Sequence, residues 1–580
     1  MWLSETADAP AAGTGAVRSR PAWASRLLRL AAGAAALTGV GLALLWLWRN
    51  PLITGWDYLS HVDTTLADAA LVRAHDWGAV RDQFFLLDRW EPPGLRLLGL
   101  PIALAFGHGA LTALRLSATA AFLLTAAVQF AALRRIAGVG GAAASVLVFT
   151  LAPVNITGAQ NFMTEEVLTV AAAVALATLA SELVSQRPAP SGAGLARLLL
   201  LGVALGWGTL TKLTLLPTLG MVWLGVVAIL WHRSRDAGAM LLRLLVPGAV
   251  LLLIAWPSYA LNGPRYLAYA RASAGGFGFP IWPEHGAAFA LRAAGSLVGD
   301  VFGPAGLLVL LLGLLLFLLR WRDVAAPLRA FGVLCLLASL PALAAFCFSR
   351  NQTDRYVVLD TLLLGVPAAL GIGAALRAAL PVGRAAAATI ALAAAAQIAA
   401  AWAIAFGAPL EGPLLSGLVY AGARPNYACD YRVLARLTAP RDGPVRIGVY
   451  GESQAVNPYD VTYGYRQAGV PARVLQFSNS SSDAVDWDPI LAEAAQTDYV
   501  ILPEVVGGWY AGIITNRTRD QFRARLAAVA AVTPLGEVAT GPEPECRVQV
   551  LEVRPAPGAP PPRRPPLRPE TFIPGWSAGL

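Results

Sequence analysis

Residues 195–230 read LARLLLLGVALGWGTLTKLTLLPTLGMVWLGVVAIL, two apolar runs that meet at Lys212. Each run, about 198 to 212 and 214 to 231, is continuous in Leu, Ala and Val with no two-residue alternation, so a helix is predicted and a membrane barrel strand is not. Roughly 18 to 22 such residues cross about 30 Å of hydrocarbon, where only helices or closed barrels satisfy their own backbone. The ammonium at the junction is the single lysine of the chain, and arginine supplies the rest of its 44 basic residues. An isolated ammonium near mid-bilayer costs roughly 2.5 to 3.5 kcal/mol and less at an interface. Two readings follow: a lysine that snorkels to the outer headgroups, or a compact positive charge that binds a phosphate at the membrane boundary.

Further runs of the same kind lie near 27–48, 112–132, 140–157, 167–184, 241–261, 301–319, 328–348, 356–376 and 385–407, which makes about eleven transmembrane helices. Composition agrees: of 580 residues 56% are hydrophobic and 14% charged, with mean hydropathy +0.57. An ordinary soluble fold of this length is excluded. The net charge of +9 does not point to nucleic acid, because the arginines concentrate in every second connection. Arg134 and Arg135, Arg187 and Arg197, Arg233, Arg235 and Arg243, Arg320 and Arg322, and Arg377 and Arg384 mark those connections as cytoplasmic. The alternate connections and the C-terminal region then face outward.

The expected organisation is a short cytoplasmic tail at 1–24, a transmembrane domain at 25–408 with its first outer loop at 51–110, an outer α/β domain at 409–555, and a Pro/Arg-rich disordered tail at 556–580. VRIGVY, ARVLQF, DYVILP and RVQVLEV read as strands of that domain, and QFRARLAAVAAV as an amphipathic helix. Cys429 and Cys546 fall in it and form a disulfide if it faces an oxidising compartment; otherwise they are two free thiols.

Polar chemistry concentrates at the outer ends of the runs. The first loop is an acidic island in a basic chain, and Leu59, Val62, Leu66 and Ala69 recur at helical spacing. An amphipathic helix lying on the membrane surface is predicted just after Asp57. Asp57 reads either as its N-cap or as a general base whose pKa is raised by neighbouring carboxylates and partial burial. Pro92 and Pro93 suit a helix start. Glu165 and Glu166, with Thr164 as N-cap, open another run; capping accounts for one carboxylate, and the second points to a site. Arg350, Asp354, Arg355 and Tyr356 form a further cluster, in which Arg355 is placed to join Lys212 on an anion and Tyr356 also suits interfacial anchoring. The five histidines have no metal-ligand spacing, and no metal or cofactor is assigned.

The order of these features resembles the GT-C glycosyltransferases, in particular the bacterial branch similar to protein O-mannosyltransferases and to the transferases that decorate lipid A with aminoarabinose. The resemblance covers about residues 27–375. It is carried by Trp56 and Asp57, HDWGAV at 75–80, EPPGLRLL at 91–98, LRLSATAAF at 114–122, FMTEE at 162–166, LGWGTLTKLTLLP at 205–217 and DRY at 354–356. It implies Asp57 as catalytic base. Tyr58 stands where the family often has a second acid, which leaves Asp63 as a possible helper. Glu91 precedes Pro92 and Pro93 where many members have Lys or His, and it joins Glu165 and Glu166 as acceptor or substrate contacts. Lys212, Arg355 and Tyr356 are the expected donor-phosphate residues. The implied partners are a polyprenyl-phosphate-linked sugar donor, membrane lipid and a cell-envelope acceptor. The implied reaction is an inverting displacement on the periplasmic face of a bacterial inner membrane, with the outer domain selecting the acceptor. A lipid or sugar transporter and a non-catalytic envelope scaffold are the rival readings. Ionisable residues at span ends rather than mid-membrane favour the transferase over the transporter.

Overall fold

The computed structural model describes residues 22–50, 56–82, 84, 92–185, 192–274, 286–348, 354–378, 381–410, 412–421, 429–438, 444–451, 453, 456–477, 485–504, 514–541 and 544–555. The tails expected at 1–24 and 556–580 lie outside these residues except for positions 22–24, where the first span has already begun. In chain order the helices used below are α1 (Ala22–Arg49), α2 (Trp56–Arg73), α3 (Gly94–Phe106), α4 (Ala110–Thr150), α5 (Thr164–Val184), α6 (Gly192–Thr211), α7 (Leu215–Ser234) and α8 (Ala237–Ala274). They continue with α9 (Ala287–Ser296), α10 (Pro304–Leu319), α11 (Ala326–Phe348), α12 (Val358–Leu363), α13 (Gly365–Arg377) and α14 (Pro381–Ala405).

Among the described residues nine helices are long and apolar enough to cross a membrane, and the segments on either side of Gly303, bent by 98°, supply a tenth span. The longest, α4, is two limbs. Gly138 sits at φ 76°, ψ 173°, a backbone conformation open to glycine and closed to the helix. The Gln129 carboxamide donates to the Ser145 hydroxyl at 2.7 Å, although a straight helix holds residues sixteen apart about 24 Å from each other. The chain therefore folds back at Gly138, and its two limbs are the runs expected near 112–132 and 140–157.

Residues 140–150 of α4 and residues 357–376 are buried without interruption and form the centre of the bundle. Small residues allow that closeness. Gly141 lies against the Ala369 carbonyl and Gly371 against the Gly313 carbonyl, so a Cβ at either glycine would strike backbone. At one end of α5, Glu182 accepts from Arg197 Nε at 3.0 Å and Arg243 Nε at 3.2 Å, tying α5, α6 and α8 at the basic-loop side. Glu165 and Glu166 open the other end of α5, about 25 Å away at 1.5 Å per residue.

Between α1 and α4 the first loop folds into α2 and α3. The helix α2 has the expected apolar face, but that face is covered by protein and not laid on lipid. Leu59 and Val62 are fully buried against Leu95 of α3, Leu114 of α4 and Phe162. Asp68 receives Arg96 bidentately, Nε at 2.9 Å and Nη2 at 2.6 Å, which ties α2 to α3. A buried, hydrogen-bonded fork of this kind fixes geometry as well as charge.

The C-terminal region contains a five-stranded sheet of order β2-β1-β3-β5-β4, with β1 (Val445–Val449), β2 (Ala472–Gln476), β3 (Tyr499–Pro503), β4 (Ala530–Ala539) and β5 (Arg547–Pro555). The first three strands are parallel, β5 runs antiparallel to β3, and β4 pairs antiparallel to β5. Helix α15 (Pro458–Gln467) crosses from β1 to β2 over one face; α16 (Trp487–Ala494) and α17 (Arg519–Val529) pack on the other. The four expected strands and the helix near 521–532 are present. The helix ends at Val529, and the residues after it form β4, whose Pro534 and Gly536 sit at a register shift. A disulfide joins Cys429 to Cys546 with Cα atoms 5.3 Å apart.

Candidate active site

The polar residues of three separate spans converge at the end of α5 opposite the basic loops. Helix α5 begins at Thr164, which is its first residue and not its N-cap; the cap position is Met163, which contributes no side-chain bond. The Thr164 hydroxyl instead donates to Glu165 Oε2 at 2.8 Å. Lys212 follows α6 directly, its own N–H donating to the Gly208 carbonyl at 2.8 Å. Its Nζ donates to Glu165 Oε1 at 2.5 Å and stands 4.8 Å from the centre of the Tyr356 ring. The Arg355 guanidinium is 5.8 Å from that same ring and interacts electrostatically with Glu165. The sequence-predicted set Glu165, Glu166, Lys212, Arg355 and Tyr356 is thus one cluster.

The carboxylates divide by role. Glu165 is 3% exposed and is committed to Lys212 and Thr164. Glu166 is buried beside the short helix Pro153–Gly158, where a side chain at Gly158 would strike its Oε1, and its Oε2 has no hydrogen-bond partner. The Lys212 ammonium turns toward the buried Glu165 carboxylate.

Asp57 lies in the first turn of α2, which is already under way at Trp56, so the N-cap reading does not hold for it. Its side chain, with those of Trp56 and Tyr58, lies outside the described residues, as do Glu91 and Arg350. Asp63, expected as a helper of Asp57, is not in the α5 cluster. It is 7% exposed and is held by the guanidinium of Arg466 from α15. Burial pushes the Asp63 carboxyl up from its ordinary value, and the charge and hydrogen bond of Arg466 only partly offset that.

Sequence reasoning missed Arg466, the Asp68–Arg96 pair and Arg115. Arg115 is 3% exposed at the start of α4, donates to the Asn50 carbonyl at 2.9 Å and lies 4.8 Å from the Trp46 ring, while its Nε and Nη2 have no hydrogen-bond partner. It stands in LRLSATAAF, a stretch read only as the opening of a span.

Solved structures share this fold. ArnT from Cupriavidus metallidurans in the apo state aligns at TM-score 0.53 and 16% identity, over 89% of this chain and 97% of that one. The archaeal oligosaccharyltransferase AglB from Archaeoglobus fulgidus, in complex with an inhibitory peptide and a dolichol-phosphate, aligns at 0.51 and 12%, over 83% and 69%. The arabinofuranosyltransferase AftD from Mycobacteria aligns at 0.50 and 15%, over 91% and 40%. The chain has the GT-C glycosyltransferase fold. No family model and no curated protein matches the sequence, so the GT-C likeness is one of architecture. Within that fold the α5 cluster and α2 occupy the non-basic side of the bundle, with the C-terminal region docked on α2.

Proposed function

We propose that the chain transfers a sugar from a polyprenyl-phosphate donor to a hydroxyl acceptor on the outer, periplasmic face of a bacterial inner membrane. The observation that carries this reading is the pairing of Glu165 with Lys212 beside Tyr356 and Arg355, at the end of α5 that faces away from the basic loops. Two cations at a membrane boundary suit a lipid-linked phosphate, and the AglB structure of like fold carries a dolichol-phosphate.

In the proposed step the acceptor oxygen attacks the anomeric carbon as the bond to the phosphate oxygen breaks. The electron pair leaves on the phosphate, Asp57 takes the acceptor proton, and the configuration inverts. Lys212 and Arg355 are charges set in advance where the phosphate charge develops. A phosphate departs without protonation, so one carboxylate suffices where a glycosidase uses two. Glu165 orients Lys212, and Glu166, with its free buried oxygen, is assigned to the acceptor side.

The test follows label through the polyprenyl-phosphate sugar pool of membranes carrying wild-type protein, Asp57→Asn or Lys212→Ala. Loss of sugar release in both variants at normal protein level supports the assignment. Wild-type turnover in Asp57→Asn sinks it and moves a transporter or scaffold forward.

A further inference from the structure

The C-terminal region does more than sit beside the bundle: one of its helices is built into the frame of the first loop. Tyr459, Tyr463 and Arg466 lie four and three residues apart on α15, hence on one face of it. Tyr459 and Tyr463 pack in the cluster of Leu59, Val62, Leu95, Leu114 and Phe162, and Arg466 holds Asp63. The opposite face of α15 is fixed in its own domain, with Val461 and Tyr465 buried among Ile447, Val449 and Val474 of the sheet. Its start is fixed too. Asn457 Oδ1 accepts from the N–H groups of Tyr459 at 3.0 Å and Asp460 at 3.1 Å, and Pro458 occupies the first helical position.

Resting on the proposed role of Asp57 as base, we infer that Arg466, Tyr459 and Tyr463 are positioning residues: α15 sets the placement of α2 and, through that rigid helix, of Asp57. Asp57 precedes Asp63 by six residues, about 9 Å along the helix axis. On its other sides α2 is held by α3 through Asp68 and Arg96 and by Phe162, which comes three residues before Glu165. On the side of α2 that carries Asp63, α15 supplies the guanidinium of Arg466 and the rings of Tyr459 and Tyr463, alongside Leu95, Leu114 and Phe162. Loss of the soluble-domain contact therefore shifts the base relative to the α5 cluster, and a displacement on the order of 1 Å costs up to about a hundredfold in rate.

The pair is asymmetric, and this makes the inference testable. Asp63 is nearly buried while the Arg466 side chain is 48% exposed. Removing Arg466 strands a buried carboxylate, whereas removing both charges strands nothing. In full-length protein Arg466→Ala and Tyr463→Ala are expected to slow release of label from the polyprenyl-phosphate sugar pool by about tenfold or more. Arg466→Lys keeps most of the rate, and Asp63→Asn/Arg466→Ala regains most of what Arg466→Ala lost. Hydrogen exchange at the amides of 59–66 is expected to quicken in Arg466→Ala while α5 stays protected. Wild-type turnover in Arg466→Ala alongside a dead Asp57→Asn overturns the inference and leaves the transferase reading standing. Lost turnover with α2 protection unchanged also overturns it. Wild-type turnover in Asp57→Asn removes the transferase reading and the inference with it.

Discussion

Replacing Lys212 separates catalysis from structure, because its ammonium serves a buried carboxylate now and a phosphate in the proposed reaction. Glu165 Oε1 lies 2.5 Å from Nζ, and the side chains are 4% and 22% exposed. Lys212→Ala strands Glu165 in a buried site, which costs about 3 to 5 kcal/mol when a buried pair loses one partner. It also removes one preorganised charge from the leaving group, worth about 10² to 10³ in rate, or roughly 2.7 to 4 kcal/mol. The single variant is therefore expected to lose both heat resistance and turnover. Lys212→Ala/Glu165→Gln strands no charge, and its carboxamide still accepts from Thr164, so heat resistance returns while turnover stays low. The assay is survival of solubilised protein after a temperature step, run beside release of labelled sugar from the polyprenyl-phosphate pool. Recovery of turnover together with stability in the double variant refutes the reasoning, since Lys212 would then be only a counter-ion for Glu165.

Three further outcomes follow from the geometry. Asp68→Ala is expected to cost about 3 to 5 kcal/mol by stranding buried Arg96, and Asp68→Leu/Arg96→Met to cost far less, as read from thermal aggregation of the solubilised variants. The Asp63 carboxyl is pushed above its ordinary value in the docked state, where Arg466 and Tyr463 of α15 are its charged and titratable neighbours. The docked state thus holds that proton more tightly than the undocked one. This group's contribution to docking is present below the ordinary carboxylate range and is lost as pH rises through the raised value. Hydrogen exchange at 59–66 should quicken across that interval in the wild type, and less so in Asp63→Asn. Cys429→Ser/Cys546→Ser opens a covalent loop spanning 117 residues and is expected to cost about 2 to 5 kcal/mol, seen as protease cleavage within 430–555 at concentrations that spare the wild type.

The bundle was legible because lipid imposes a local rule: each span must be long, apolar and helical on its own, whatever it touches. The same locality explains the misreadings. The face Leu59, Val62, Leu66 and Ala69 has the period of a surface helix, but sequence periodicity reports that a face is apolar and not whether lipid or protein covers it. Here Phe162 and two tyrosines from the C-terminal region cover it. The strand β4 escaped because Pro534 and Gly536 break the alternation that marks a strand, and most of its side chains are exposed. Only its ladder to β5 defines it.

The site divides along the same line. Residue type found Glu165, Lys212 and Arg355, because a charge beside a long apolar run is costly and has few innocent explanations. Pairing was invisible. Glu165 and Lys212 are 47 positions apart, and Asp63 and Arg466 are 403 apart. For Lys212 the partner turns a free phosphate-binding cation into one whose charge is already answered, so phosphate binding must compete with Glu165 or share the ammonium with it. For Asp63 the partner is a guanidinium of the C-terminal region, so the carboxylate takes part in a contact between two distant parts of the chain. The same partner chemistry points in two directions: where the carboxylate lies beside a second cation, as Glu165 lies beside Arg355, the group stays a candidate for ligand chemistry. Where a single guanidinium from the C-terminal region meets it, as at Asp63, the contact joins two parts of the chain 403 positions apart.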